Sequence, residues 1–243
     1  MPTSSRRSVI SWAMYDWANS AFATTVMAGF FPLFFKQYWS QGVEVTQSTY
    51  YLGISNSVAS LIVVILAPVL GALADNGGLR KRMLASFACV GVLATGALYL
   101  VEAGMWPVAI LLYAIAVVGF SGANTFYDAL LTVVSPGGNR HRISALGFAL
   151  GYLGGGLLFL VNVLMTLQPD LFGLADAAYG VRWSFVSVAV WWAVFSIPLL
   201  LWVEEPDPAS ARRPTLAGAF AALGETARNL RQYRGAVSYT HLR

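Results

Sequence analysis

Charge is the first thing this chain has little of. Asp, Glu, Lys and Arg make up only 11% of the 243 residues, where a soluble domain carries about 25%. Hydrophobic residues make up 57% and the mean hydropathy is +0.63. An ordinary soluble domain is excluded, and the composition is that of a membrane protein. Cysteine is nearly absent. The lone Cys89 can form no internal disulfide and reads as a small packing residue inside an apolar run. With two histidines and one cysteine there is no zinc-ligand spacing. The sequence also lacks His-Glu-x-x-His, a phosphate-binding loop and Gly-x-Ser-x-Gly. Tyr15-Asp16 and Tyr127-Asp128 would suit an intramembrane aspartyl protease, but the Gly-x-Gly-Asp such enzymes need is missing. The expectation is therefore no enzyme, no metal and no cofactor. A pI near 9.3 could point to nucleic acid. The cations, however, lie in short loops between apolar runs, which suits membrane orientation and argues against a nucleic-acid partner.

Long apolar runs are what the chain does have. A membrane helix needs about 20 mostly apolar residues. Six runs qualify, at roughly 10–35, 50–74, 83–102, 107–134, 143–167 and 183–203. Trp12, Trp39, Tyr50, Tyr51, Trp106, Trp183 and Trp202 mark their ends, as interfacial aromatics do. Ser5-Arg6-Arg7 resembles a twin-arginine export signal, but Asp16 interrupts the apolar run and no small-residue cleavage site follows. Thirteen of the fifteen Lys and Arg residues fall in the amino terminus, the even-numbered loops and the tail, leaving Lys36 and Arg182 on the other side. The positive-inside rule then predicts both termini in the cytoplasm of an integral membrane protein, in a bacterial inner membrane.

The spans differ in kind. The third and sixth are apolar nearly all round, as peripheral lipid-facing helices would be. The first carries Asp16, Asn19, Ser20 and Thr24 on one helical face, and the fourth carries Ser121, Asn124, Thr125, Asp128 and Thr132 on one face. Asp16 lies about 13 Å inside the basic end at 1.5 Å per residue, and Asp128 approaches that depth from the opposite direction. An acid within a span costs about 2.5–3.5 kcal/mol on insertion scales and marks a functional candidate. Either acid also fits a wet interface or a structural pairing. In the fifth span Gly147, Gly151 and Gly155 form a small-residue ridge that predicts close helix packing.

Between the second and third spans lies Gly71-Ala-Leu-Ala-Asp75-Asn-Gly-Gly78-Leu-Arg80-Lys81-Arg82. Gly71, Asp75, Gly78, Arg80 and Lys81 fit the Gly-x-x-x-Asp-x-x-Gly-x-Arg-Lys pattern of the major facilitator superfamily, except that Asn76 stands where that pattern has a cation. Tyr15-Asp-Trp-Ala-Asn-Ser-Ala-Phe22, Phe126-Tyr-Asp-Ala-Leu-Leu131 and Gly147-Phe-Ala-Leu-Gly-Tyr-Leu-Gly-Gly155 further resemble the first, fourth and fifth helices of the vacuolar amino-acid effluxers and their bacterial relatives. The resemblance runs from about Trp12 to Val203.

That resemblance implies an all-α membrane protein, with six transmembrane helices at 1–203 forming the amino-terminal half of a major facilitator fold. It implies a carboxy-terminal half as partner, the lipid bilayer as surroundings, and a small polar solute, an amino acid at family level, carried by alternating access. Asp16, Asn19, Ser20, Asn124 and Asp128 are the expected substrate and proton path, with Asp16 carrying a coupling proton. The stretch from Gly71 to Lys81 is the expected gate. A non-transporting membrane receptor or assembly factor is the alternative. Residues 204–236 read as a Pro- and charge-rich linker followed by an amphipathic helix over 215–234. Residues 237–243 resemble a translated transposon end, so a non-native tail on a natural chain that continues is expected.

Overall fold

In the computed structural model, residues 5–75, 78–135 and 139–205 are described. The 215–234 helix and the 237–243 tail expected from sequence lie outside the described residues. Six helices are long and apolar enough to cross a membrane: α1 (Arg6–Trp39), α2 (Val45–Asp75), α3 (Arg80–Leu100), α4 (Trp106–Val134), α5 (Arg140–Leu167) and α6 (Ala177–Trp202). No strand occurs among the described residues. This is the all-α fold of a six-helix major facilitator half. Each expected run is present, with ends that shift by a few residues because interfacial turns extend the helices beyond their apolar cores.

Neighbouring helices follow one another around the bundle. α1 stands between α5 and α6, α6 packs on α3, α3 on α4, and α4 on α2. Where α3 meets α4, Gly119 lies directly on the Gly91 backbone and Gly122 on the Phe87 ring. Trp192 of α6 covers Gly91 from the other side. The two antiparallel helices α3 and α6 are tied at both ends. At one end the Arg182 Nε donates to the Tyr99 carbonyl at 2.8 Å. The other end is described below.

The third and sixth spans, expected at the periphery, each bury one face in the six-helix unit and leave Val90 and Leu93 of α3 and Val190, Val194 and Ile197 of α6 exposed. Phe185, Val188 and Trp192 of α6 are buried, as are Leu84, Ala88 and Ala94 of α3. The second span is the least buried, with Ile54, Val58, Leu61, Ile62, Val64 and Ile65 all exposed. An all-apolar helix can pack against protein as readily as against lipid, so hydropathy alone does not rank spans by burial.

α1 departs from regular geometry from Phe22 on, at the end of its polar stripe. Phe22–Phe30 and Phe35–Trp39 are π-helical, with a short α-helical turn at Phe31–Phe34 between them. The wider helix fans out large side chains, and Phe31, Phe34, Phe35 and Trp39 are all buried. Phe31 stacks on Tyr113 of α4 at 3.9 Å between centroids, and Trp39 on Phe185 of α6 at 5.6 Å. The Trp39 Nε1 donates to the Val101 carbonyl at 3.2 Å, fixing this end of α1 to the end of α3.

Candidate functional site

The polar face of α1 meets two different helices. Its Asn19 is buried and donates from Nδ2 to the Asn124 Oδ1 of α4. The two expected stripes thus touch at their centre through a direct side-chain bond. Asn19 acts there as a bridge between α1 and α4. Asp16, one turn away, is half-buried, and Asp128 on α4 is exposed. Each carboxylate lies one helical turn from the Asn19–Asn124 bond. Ser20 donates to the Asp16 Oδ1 over a long 3.5 Å, and the Thr24 hydroxyl donates to the Ser20 carbonyl at 2.9 Å.

The glycine ridge of α5 explains how these groups sit so near a helix backbone. A Cβ at Gly151 would lie 2.7 Å from the Ser20 Oγ and 3.1 Å from the Asp16 Cγ. One at Gly155 would lie 2.9 Å from the Ser20 carbonyl oxygen, and one at Gly147 2.9 Å from the Trp12 ring. Such distances admit only hydrogen, so α5 lies flush on the polar face of α1. Gly154, which the ridge spacing omits, belongs to the same contact, with its Cβ position 2.6 Å from Trp17.

Three aromatic residues back the acids. Tyr127 stacks on Trp12 at 4.4 Å and an interplanar angle of 9°. The Trp12 Nε1 donates to the Tyr127 carbonyl at 3.1 Å. Tyr15 lies tilted against Tyr127 at 5.0 Å. The hydroxyls of Tyr15 and Tyr127 are buried and have no hydrogen-bond partner among the described residues. The sequence shows both tyrosines in its Tyr-Asp pairs and family-like stretches, but it gives them no role of their own at the site. The repeated Tyr-Asp pair was the signal available.

In the loop between α2 and α3, Gly78 adopts φ +71°, a backbone conformation that favours glycine. Gly71 closes the last turns of α2 with open space at its Cβ among the described residues. The Asp75 side chain lies outside the described residues. Arg80 and Lys81 open α3, and their amides are taken by a residue that sequence reasoning missed. The Glu205 carboxylate accepts from Arg80 N at 2.9 Å and from Lys81 N at 3.3 Å. Among the described residues no three His, Cys, Asp or Glu side chains gather as a metal site.

Comparison with known proteins agrees with this architecture. The chain is 36% identical over 227 residues to the Uncharacterized MFS-type transporter YxiO of Bacillus subtilis (strain 168), covering 92% of this chain and 53% of that protein. It is 23% identical, over an alignment of 358 residues, to Autophagy-related protein 22-1 of Penicillium rubens, covering 98% of this chain and 59% of that one. A shorter stretch of 68 residues is 32% identical to Autophagy-related protein 22 of Yarrowia lipolytica, 28% of this chain and 11% of that protein. The chain therefore spans about half the length of the curated relatives that it matches over most of its own. No solved structure matches it. The family model described as Vacuole effluxer Atg22 like matches residues 40–136 and 135–241. Transporter and effluxer are names of transport proteins and not of enzymes, and the six membrane-length helices make this an integral membrane protein: the chain belongs to the Vacuole effluxer Atg22 like family.

Proposed function

We propose that this chain is the amino-terminal six-helix half of a secondary transporter in a bacterial inner membrane. It carries a small polar solute, an amino acid, by alternating access against a second six-helix half. The observation that carries the reading is that Asp16 and Asp128 each stand one helical turn from the Asn19–Asn124 bond that joins two membrane-length helices. A scaffold has no use for two acids at that depth, where each is costly. The polar path then runs along Asp16, Ser20 and Asp128, with the Asn19–Asn124 bond fastening α1 to α4 beside it. Asp16 carries the coupling proton. The exposed apolar faces of α2 and of α5, where Tyr152 is 80% exposed, suit contact with the second half.

Transport should need both halves, because a site between repeats is incomplete in one of them. The 243-residue chain reconstituted alone in liposomes should insert and move no amino acid. The same chain joined to a second half should accumulate it. A monomeric preparation of the chain alone that moved solute down a gradient would overturn the reading.

Orientation is a separate expectation from the 13-to-2 division of cations. In a Cys89→Ala background, a cysteine at the exposed Gln41 should react with an impermeant maleimide added outside intact cells. One at the exposed Asn139 should react only after lysis. The reverse pattern would place the termini on the other side.

A further inference from the structure

The starting end of α3 is built wrongly for a helix standing alone. Its first turn holds Arg80, Lys81 and Arg82, three cations beside the positive end of a helix dipole. Its N-cap is Leu79, which offers no side-chain acceptor. The finishing end of α6 has the mirror-image defect. It has no basic residue in its last turn, and its C-cap is Val203. Each helix end is completed by the other. Glu205, just past α6, places Oε1 2.9 Å from Arg80 N and Oε2 3.3 Å from Lys81 N. Lys81, in the first turn of α3, donates from Nζ to the Val203 carbonyl at 2.6 Å. A carboxylate thus sits at the α3 amino end and an ammonium at the α6 carboxyl end, the favourable sign at both.

The same short segment also takes hold of α1. The Arg7 guanidinium lies 4.1 Å over the Trp202 ring, and the Ser8 hydroxyl donates to the Trp202 carbonyl at 3.1 Å. Four residues, Trp202 to Glu205, therefore gather the same-side ends of α1, α3 and α6. A helix with its own N-cap would start the same way whatever its neighbours did. α3 starts with its amides satisfied by Glu205 only while the end of α6 is docked. The first turn of α3 and the segment leaving α6 are made into one mechanical unit by this exchange of caps.

We propose that Glu205 is a positioning residue of the transport cycle, holding the amino end of α3 against the end of α6 in one conformer and releasing it in the other. The inference rests on the transport reading above. It adds a residue 124 positions from Lys81 that acts through the Arg80 and Lys81 amides and touches no solute.

The test separates a local cap from a tie between helices. It uses the intact transporter with E205A, E205D, K81Q and the double variant E205A/L79D, where Asp at the N-cap gives α3 an acceptor of its own. E205A should raise amide exchange at Arg80 and Lys81 about tenfold and shift the conformer ratio by a similar factor, within the range of such couplings. The ratio is read by two-sided labelling of a cysteine at Thr24 in a Cys89→Ala background. E205D should retain part of both effects. K81Q should shift the ratio in the same direction as E205A. E205A/L79D should recover amide protection and keep the shifted ratio, because the tie stays broken. Recovery of the parental ratio by L79D would make Glu205 a structural cap and overturn the proposal, as would an unchanged ratio in E205A. A parent that alternates between the two labelling states but moves no solute would count against the transport reading alone, and the labelling would still decide for or against Glu205.

Discussion

Asp16→Asn should abolish proton-driven accumulation of solute while leaving solute exchange within a few-fold of the parent. Asparagine has nearly the shape of aspartate and keeps an oxygen that can accept from Ser20, which reaches Asp16 over 3.5 Å. The α5 contact should survive as well, because the space next to Asp16 is set by Gly151 and not by charge. What asparagine cannot do is take up and release a proton. Accumulation above equilibrium should therefore fall at least tenfold, while counterflow of labelled against unlabelled solute persists. Asp128→Asn should do less. Asp128 is exposed, where Asp16 is half-buried against Gly151, so its charge is the less costly to keep and the less critical to lose. The measurement is uptake into proteoliposomes with and without an imposed pH gradient, beside exchange at equal pH. An Asp16→Asn transporter that accumulated solute with the parental pH dependence would move proton coupling elsewhere and leave Asp16 a structural acid.

The sequence made the six spans legible because a bilayer enforces length and hydropathy on each helix separately. The polar stripes were legible for a related reason. Asp16, Asn19, Ser20 and Thr24 are spaced to share a helical face, which is a property of one helix. What needs two helices was largely hidden. Nothing in Arg80 and Lys81 signals that a glutamate about 125 residues away will sit on their amides. The Asn19–Asn124 bond was hidden in the same way. Each asparagine was visible in its stripe, but the contact between them depends on how α1 leans toward α4. The π-helical course of Phe22–Phe30 also has no hydropathy signature, since widening the helix moves apolar groups past apolar neighbours. The glycines divide along the same line. Gly147, Gly151 and Gly155 announce themselves by spacing along α5. Gly91 and Gly119 belong to no such four-residue series on α3 and α4, and their meaning lies in having met.

That meeting supplies the largest stability effect expected here. A Cβ at Gly119 would lie 2.6 Å from Gly91 N, 2.7 Å from Gly91 Cα and 2.8 Å from the Phe87 carbonyl oxygen. All three are backbone atoms, so no side-chain rotation can relieve the clash, and α3 must move off α4. It cannot move freely, because a Cβ at Gly91 would itself lie 2.5 Å from the Trp192 ring of α6. Two opposing terms set the sign of Gly119→Ala. Replacing glycine by alanine inside a helix gains about 0.5–1 kcal/mol of propensity. Forcing a methyl group into a packed contact costs about 1–3 kcal/mol, with the upper part of that range fitting an obstacle made of backbone. The clash should win by about 2 kcal/mol, which for a domain of this size lowers the melting temperature by roughly 4–8 °C. Gly156→Ala is the matched control. It lies inside α5, and its Cβ would meet nothing within 4 Å among the described residues. There only the propensity term acts, so the chain should melt at the parental temperature or slightly above it. Both variants are compared in the same detergent by following the melting of the purified chain. Equal melting temperatures for Gly119→Ala and Gly156→Ala would mean that α3 and α4 do not meet backbone to backbone at Gly91 and Gly119.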